Sequence, residues 1–138
     1  MERTLAIIKP DAVAARNAGR IIQRIEESGF TIRAMRLVKL TKADAEGFYA
    51  VHRERPFFAS LTAFMSSGPV VVLALDAPDA IKKWRTLMGA TDPAKADAST
   101  LRKDFGASIE HNATHGSDAP DTAAYEVGYF FQGVEFSR

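Results

Sequence analysis

The stretch Val70-Val71-Val72-Leu73-Ala74-Leu75 contains no polar residue and is rich in β-branched side chains. A strand with one face in water would alternate polar and apolar residues, so an unbroken apolar run indicates a strand buried on both faces. Gly68-Pro69 precedes the run and ends the helix expected before it. The sequence therefore predicts a central strand whose two faces are covered by other elements.

Two further strands are expected upstream of this central strand. Residues 4–8 form a short apolar run that Pro10 stops, which predicts a second buried strand. Residues 31–40 predict a third strand, but their alternation slips near Ala34-Met35 and Leu37-Val38. A slip of this kind indicates a β-bulge or a strong local twist.

Helical patterns occupy much of the remaining chain. Residues 20–28 place three isoleucines on one face before Gly29, and residues 79–88 are amphipathic and stop at Gly89. Residues 41–44 resemble a capping box that opens a helix reaching about His52.

Two more helices follow from apolar spacing. The first begins near Pro56, and the candidates for its apolar side are Phe57, Leu61 and Phe64. The second runs from Asp118 or Asp121 to about Gln132, and its inward side chains are Ala123, Ala124, Val127, Phe130 and Phe131. Residues 90–99 predict a loop, residues 100–105 a short helical turn, and residues 112–115 a last strand or an extended loop.

Strands and helices therefore interleave as β-α-β, then helices, then β-α and a final β-α. This order agrees with a ferredoxin-like α/β sandwich, in which helices cover an antiparallel sheet. The pattern alone does not distinguish that fold from a small parallel-sheet fold. With 138 residues, the chain is expected to form one compact domain over residues 1–138.

The composition limits the classes of function. The formal net charge is +1, from 18 basic and 17 acidic side chains, far below the positive charge of a dedicated nucleic-acid binder. Cysteine is absent, which excludes disulfides and thiolate metal sites. No apolar run approaches the roughly 20 residues that span a membrane, and the opening residues form no secretory signal. We expect a soluble, cytoplasmic protein that binds a small anionic metabolite.

A polar stretch in the last third of the chain, Asn112-Ala113-Thr114-His115-Gly116-Ser117-Asp118, carries candidate chemistry. Gly116 allows close backbone approach beside His115, and Ser117 and Asp118 are expected to cap the helix that follows. Because imidazole is largely neutral near pH 7, this histidine is a candidate nucleophile or proton carrier. The alternative is an ordinary turn whose histidine only packs or caps.

The same stretch resembles the active-site signature of the nucleoside diphosphate kinases. The opening residues 3–11, Arg-Thr-Leu-Ala-Ile-Ile-Lys-Pro-Asp, look like the first strand of that family. Other matching segments, in the family's order and spacing, are Arg55-Pro56-Phe57-Phe58, Ser67-Gly68-Pro69-Val70, Gly89-Ala90-Thr91-Asp92-Pro93 and Thr100-Leu101-Arg102. The resemblance covers nearly the whole chain. It implies a ferredoxin-like sandwich with a four-stranded antiparallel sheet and an added helical hairpin at residues 42–66.

The resemblance also implies a reaction. His115 would take the terminal phosphate of a nucleoside triphosphate and pass it to a nucleoside diphosphate, in a ping-pong cycle with a phosphohistidine intermediate. Glu126 matches the glutamate that orients the imidazole, and Ser117 matches the serine beside both. Without the resemblance, Glu126 fits an ordinary charge on a helix surface.

Further site residues are implied position by position. No P-loop and no G-x-G-x-x-G turn is present, so side chains would have to bind the phosphates. Taken singly, each basic candidate fits a solvated surface charge better than a phosphate ligand. The implied phosphate and ribose ligands are Lys9, His52, Arg85, Thr91, Arg102 and Asn112, with Tyr49 near the transferred group. The base would stack between Phe57 and Ile109, which predicts little discrimination between bases, whereas Phe58 is expected in the core.

The family's cofactor and assembly are expectations as well. Mg²⁺ would be held mainly by the substrate phosphates and water, with no dedicated protein cage. Members form dimer-based homo-oligomers, so a tetramer or hexamer is expected. A metal site shared by His111 and His115 is disfavoured because their spacing requires a helix and residues 112–116 are poor helix formers. Ser99 stands where many members have glycine, Tyr125 where arginine is frequent, and the short tail 135–138 is variable.

Two other functional classes remain open at this stage. A nucleotide-sensing or nucleic-acid-binding regulator on the same scaffold is a second hypothesis, although the near-zero net charge gives it little support. A purely structural subunit is a third hypothesis. It is disfavoured because a decayed relative would have lost the nucleophile or its cations, and this chain retains both.

Overall fold

The computed structural model describes residues 1–136, and its centre is a four-stranded antiparallel sheet in the order β2-β3-β1-β4. The strands are β1 (Glu2–Ile8), β2 (Thr31–Val38), β3 (Val70–Ala77) and β4 (Thr114–Gly116). All three pairings are antiparallel. The ferredoxin-like prediction is therefore confirmed and the parallel-sheet alternative is excluded. Ser137 and Arg138, part of the tail that was expected to vary, lie outside the described residues.

Helices surround the sheet. They are α1 (Pro10–Ala14), α2 (Ala18–Glu27), α3 (Lys42–Phe48), α4 (Phe58–Met65), α5 (Ala80–Met88), α6 (Leu101–Phe105) and α7 (Pro120–Phe130). Short 3₁₀ turns lie at Ala50–His52, Pro93–Lys95 and Gly133–Phe136. Within residues 1–136, no helix is long and apolar enough to cross a bilayer.

Strand β3 is buried at every position, as its sequence predicted. It pairs with β1 on one side and β2 on the other, so both of its edges are hydrogen-bonded. Successive side chains of β1 point to opposite faces of the sheet, where two apolar layers lie. Ala6 and Ile8 face one layer, and Leu5 and Ile7 face the other. Each face of the sheet is thus covered by its own set of helices.

The two layers use different helices. Ile21 and Ile25 of α2 and Trp84 of α5 lie in the first layer. Phe48 of α3 and Met65 of α4 lie in the second, together with α7 residues. The helical hairpin of α3 and α4 therefore packs on the same face as α7, and the His115 ring contacts Phe48 on this face.

Several predicted details are confirmed. The pairing of β2 with β3 shifts register between Ile32 and Ala34, close to the predicted bulge. The Thr41 hydroxyl accepts from the Asp44 backbone N–H at 3.0 Å, and the Asp44 carboxylate accepts from the Thr41 N–H at 2.9 Å. This reciprocal pair is the expected capping box. Gly29 and Gly89 both have positive φ, as C-terminal stops require.

Other details differ from the prediction. Helix α4 begins at Phe58 because residues 53–57 form turns, and α7 begins at Pro120. Ala124 is exposed and does not face inward. Ala123 and Val127 are buried, four residues apart, so the inward stripe of α7 runs through them and position 124 lies about 100° away around the helix.

Candidate active site

His115 lies in the middle of β4, opposite Ile7 of the buried strand β1. Its carbonyl oxygen accepts a hydrogen bond from Trp84 Nε1 at 3.1 Å. A side chain at Gly116 would place its Cβ 2.5 Å from Trp84 Cδ1, so only glycine permits this contact. The close approach predicted at Gly116 is therefore present, and it fixes the backbone that carries the imidazole.

A chain of hydrogen bonds leads from the imidazole to the sheet. His115 Nε2 lies 2.8 Å from Glu126 Oε1, and Ser117 Oγ donates to the same oxygen at 2.9 Å. The Leu5 backbone N–H donates to Ser117 Oγ at 3.2 Å, so the serine proton is directed at the glutamate. An ionised Glu126 accepts from both groups, which places the imidazole proton on Nε2 and leaves the Nδ1 lone pair free.

The backbone before His115 makes a strained turn. The Thr114 N–H donates to the Asn112 carbonyl at 2.9 Å, and Ala113 between them has a φ of 75°, so the three residues form a γ-turn. Asp11 Oδ2 accepts from the Ala113 N–H at 3.1 Å, and the Lys9 N–H donates to the Ala113 carbonyl at 2.8 Å. The segment after β1 thus holds the turn in place. Sequence reasoning had not given Asp11 this role.

All the predicted site residues except Glu126 and Ser117 line a single cleft of about 350 Å³. Its predicted lining residues are Lys9, Tyr49, His52, Phe57, Arg85, Thr91, Arg102, Ile109, Asn112 and His115. Leu61, Met88, Glu110 and Asp118 also line it and were not assigned to the site beforehand. Leu61, Met88 and Glu110 are spread along the chain and carry no local signal of a site, whereas Asp118 ends the quoted stretch 112–118.

Lys9 is a buried cation at the wall of this cleft. Only 7% of the residue is exposed, and Nζ donates to Asn112 Oδ1 at 2.8 Å. Asn112 Nδ2 in turn donates to the Thr91 carbonyl at 3.0 Å. Burial, and then the positive charge of Arg102, lower the pKa of Lys9 from 10.5 to about 8. Lys9 therefore forms no ion pair within residues 1–136, although the charges of Asp11 and Glu110 partly offset the lowering of its pKa.

Arg102 is fixed by backbone carbonyls. Its guanidinium donates to the Gly89 oxygen at 2.9 Å and to the Thr114 oxygen at 3.1 Å, while buried Nε has no partner among the described residues. Burial, and then the charge of Arg85, lower the pKa of Arg102 to about 10. These neighbouring positive charges repel one another, and an anion bound in the cleft would offset that repulsion.

The expected caps of α7 are wrong. Ser117 is fully buried in the chain of bonds to Glu126, and the Asp118 carboxylate accepts from Arg85. The cap comes from inside the helix, where Thr122 Oγ1 accepts from the Ala119 N–H at 2.9 Å. The fold brings β1 against Ser117 and α5 against Asp118. Their side chains bond to these neighbours and are therefore not available to cap α7.

Aromatic rings surround the imidazole. The rings of Phe48 and Tyr49 meet it edge-on, at centroid distances of 5.2 and 5.8 Å. The Tyr49 hydroxyl is buried with no partner among residues 1–136, and burial, followed by the charge of Glu126, raises its pKa. His52 lies farther out, with its ring 6.5 Å from Tyr49 and 5.5 Å from Phe57.

The outer part of the cleft is apolar and exposed. Phe57 is 46% exposed and Ile109 is 62% exposed. Phe58 packs against the core, as expected. Two exposed apolar side chains in one cleft provide faces on which a flat ligand can stack.

Comparisons with known proteins agree with this geometry. The family model described as nucleoside diphosphate kinase matches residues 2–136. Nucleoside diphosphate kinases from Syntrophotalea carbinolica and Desulfosudis oleivorans are 62% and 59% identical to the chain. Each alignment covers 98% of the chain, and it covers 98% and 97% of the respective relatives.

Solved structures agree as well. A crystal structure of the Aquifex aeolicus nucleoside diphosphate kinase has a TM-score of 0.96 and 45% identity, covering 98% of both chains. The Halobacterium salinarum enzyme in complex with CDP has a TM-score of 0.94 and 36% identity, covering 99% of this chain and 91% of that one. Together with the family model and the close sequence relatives, these structures show that the chain belongs to the nucleoside diphosphate kinase family.

Proposed function

We propose that this protein is a nucleoside diphosphate kinase that transfers the terminal phosphate of a nucleoside triphosphate to a nucleoside diphosphate through phosphorylated His115. The observation that carries the proposal is the chain from Leu5 through Ser117 and Glu126 to His115 Nε2. It holds the imidazole by Nε2 at a cleft that also contains the buried cation Lys9 and the partly buried Arg102. Membership of the family supports the same reaction.

In the first half-reaction, the Nδ1 lone pair attacks the terminal phosphorus. The bond from that phosphorus to the bridging oxygen breaks, and the nucleoside diphosphate leaves with the electron pair. No proton has to move, because Nε2 already carries its hydrogen. The imidazole becomes positive as the N–P bond forms, and the adjacent Glu126 carboxylate stabilises that charge.

The cleft side chains would stabilise the transferring group. Lys9 and Arg102 line the cleft and would donate to the equatorial phosphate oxygens, and Arg85 would leave Asp118 to join them. The unpartnered Tyr49 hydroxyl is a further donor beside His115. Because Lys9, Arg102 and Tyr49 are already held in place, they need little reorganisation during the transfer.

The second half-reaction reverses the first with a different acceptor. A terminal oxygen of the acceptor diphosphate attacks phosphorus, and the N–P bond breaks with its electrons returning to Nδ1. Phe57 and Ile109 would contact the base by stacking, which is tolerant of base identity. Thr91, His52 and Asn112 would contact phosphates and ribose. The CDP complex of the Halobacterium relative supports diphosphate binding in this fold.

The cleft residues fit a magnesium ion held mainly by substrate. Mg²⁺ commonly takes one or two carboxylates plus phosphate oxygens and water. Two carboxylates, Glu110 and Asp118, line the cleft; Asp118 lies beside Arg85, and it would hold the ion together with the phosphates. When bound, the ion would neutralise part of the triphosphate charge.

Labelling tests the proposal. After incubation with ATP labelled on the terminal phosphate, the wild-type protein should carry the label in an acid-labile form, as expected of a phosphoramidate. It should lose the label on addition of any nucleoside diphosphate. His115→Ala should carry none. An unlabelled wild type, or a labelled His115→Ala variant, would contradict the proposed function.

Two further proposals concern the assembly and the location of the protein. Strand β2 is an edge of the sheet and exposes Met35 and Leu37, so it offers an apolar edge to a second copy. We propose a homo-oligomer built from dimers, a tetramer or hexamer, whose size light scattering would measure. A cytoplasmic location is proposed because the nucleotide substrates are found there, and cell fractionation would test it.

A further inference from the structure

The outer end of the cleft is bridged by contacts that the proposed reaction does not use. Ser60 Oγ lies 2.8 and 3.0 Å from the two carboxylate oxygens of Glu110. The ring of Phe64 stacks on His111 at 4.2 Å, with the planes 10° apart. We call these two contacts the clasp. They join α4 to the loop of residues 106–112.

Each side of the clasp carries one wall of the exposed apolar end. The Phe57 carbonyl accepts from the Leu61 N–H at 2.9 Å, so Phe57 is part of the first turn of α4, beside Ser60. On the other side, Ile109 immediately precedes Glu110. The position of α4 relative to the loop therefore sets the gap between Phe57 and Ile109.

Hydrogen bonds between its own residues close the loop on itself. The Ala107 N–H donates to the His111 carbonyl at 2.8 Å, and the His111 N–H donates to Ser108 Oγ at 3.1 Å. Ile109 lies at the tip of this closed turn. A contact that positions Glu110 and His111 thus positions Ile109 as well.

We propose that Ser60, Glu110, Phe64 and His111 are positioning residues that set the width of the nucleoside slot between Phe57 and Ile109. This inference rests on the proposed function and concerns the binding of the nucleoside, not the transfer at His115. The clasp lies at the end of the cleft away from the chain of bonds to Glu126, so its loss should weaken nucleoside binding and leave the chemistry intact.

The experiment is a double-mutant cycle on Ser60→Ala and Glu110→Ala, read as kcat and KM for the acceptor nucleoside diphosphate. Each single variant should raise KM about threefold to tenfold, the range expected of one partly exposed hydrogen bond, with kcat within about twofold of wild type. The double variant should be no worse than the more affected single variant, because both remove one interaction. Additive effects, or a fall in kcat alone, would overturn the proposal.

Two matched variants control for general damage to α4. Within residues 1–136, the Ser66 hydroxyl donates to the Thr62 and Ala63 carbonyls of its own helix, at 2.8 and 3.2 Å, so Ser66→Ala should leave KM unchanged. Ser60→Thr keeps the bridging hydroxyl and should restore the wild-type KM. If Ser66→Ala raises KM as much as Ser60→Ala does, or if Ser60→Thr does not restore KM, the effect comes from the stability of α4. Either result would contradict the clasp.

A phosphate donor that lacks a nucleoside distinguishes a failure of this inference from a failure of the proposed function. Phosphoramidate can phosphorylate a histidine but has no nucleoside, so His115 of Ser60→Ala should be labelled at the wild-type rate. Slower labelling would place the defect in the chemistry and overturn the clasp. If wild type accepts no phosphate from ATP, the proposed function fails first. If the wild type is active and the clasp variants have the same KM as the wild type, the clasp proposal is refuted and the proposed function stands.

Discussion

The Tyr49 hydroxyl is buried beside His115 without a hydrogen-bond partner among the described residues. A buried donor left unpaired costs the folded protein about 1–3 kcal/mol. Its aromatic ring, by contrast, packs edge-on against Phe48 and His115. The hydroxyl therefore weakens the fold of the free protein, and only a bound group would compensate it.

Tyr49→Phe should consequently separate stability from activity. We expect the free energy of unfolding in urea to stay equal or rise by about 1 kcal/mol, because the unpaired hydroxyl is gone and the ring remains. We expect kcat to fall roughly tenfold or more, since a donor to the transferring phosphate is lost. Tyr125→Phe is the control, because its hydroxyl donates to the Gly47 carbonyl at 2.8 Å away from the cleft. That variant should keep kcat, and an equal kcat in Tyr49→Phe would contradict the role given to this hydroxyl.

The lowered pKa of Lys9 predicts two opposite pH dependences. Between pH 8 and 10.5 the unfolded chain binds a proton that the folded chain has released, so the free energy of unfolding should rise with pH in this window. Nucleotide affinity should fall over the same range, because the cation facing the phosphates is lost. The measurement is kcat/KM from pH 6.5 to 10, with an alkaline decrease starting near 8. Lys9→Met should show a low kcat/KM with no such decrease, and a flat wild-type profile to pH 10 would contradict the prediction.

At the scale of elements, hydroxyl groups of α7 fix its distance from α3. Tyr129 donates to the Asp44 carbonyl at 2.8 Å, and a Cβ at Gly47 would lie 2.5 Å from the Tyr129 oxygen. Tyr125, which stands where the family often has arginine, donates to Gly47. Helix α7 carries Glu126 and α3 leads into Tyr49, so this spacing sets two sides of the site.

A pair of substitutions tests that spacing. Gly47→Ala should destabilise the protein by about 1–3 kcal/mol, because the new methyl group overlaps the Tyr129 oxygen. Tyr129→Phe alone should cost about 1 kcal/mol through its lost hydrogen bond, yet in the Gly47→Ala background it should recover stability. Urea unfolding of the four proteins measures the coupling. Simple addition of the two costs would mean that the close approach does not govern the packing of α7 on α3.

The sequence was informative about elements wherever a periodic signal existed. Strand β3 was predicted from its unbroken apolar run, whereas β4 has only three residues, too few for any alternation to appear. The Ser99 departure has a local explanation, since its φ of 70° lies in the region that glycine adopts most easily. The exposure of Ala124 was missed because apolar composition alone does not determine which side of a helix faces the core.

At the scale of the whole molecule, the site is assembled from segments far apart in the chain. The family resemblance predicted the residues because it matches positions, and the structure brings them into one cleft. Contacts without a family motif were not predictable: Ser60 and Glu110 are separated by 50 positions and neither lies in a matched segment.

The expectation that residues 1–138 form one domain stays a prediction.

The proposed assembly can be tested at the edge strand. Leu37 is 67% exposed on β2, so Leu37→Glu should leave the fold intact and introduce a charge where a second copy would pair. Light scattering should then report a smaller species than wild type. Val51→Glu, at a position 78% exposed on the 3₁₀ turn after α3, is the matched control and should keep the wild-type mass. An unchanged mass in Leu37→Glu would remove β2 as the contact.

The hydrogen bond from the Leu5 amide to Ser117 makes the centre of the sheet a spectroscopic reporter of catalysis. Phosphate on His115 would make the imidazole positive and strengthen its hydrogen bond to Glu126. The hydrogen bonds of Ser117 to Glu126 and to the Leu5 N–H would change in turn. In a nitrogen–proton correlation spectrum, the Leu5 resonance should shift when ATP is added and return when a nucleoside diphosphate removes the phosphate. With Ser117→Ala the shift should vanish. The turnover of the enzyme would then be visible at a residue that never contacts its substrate.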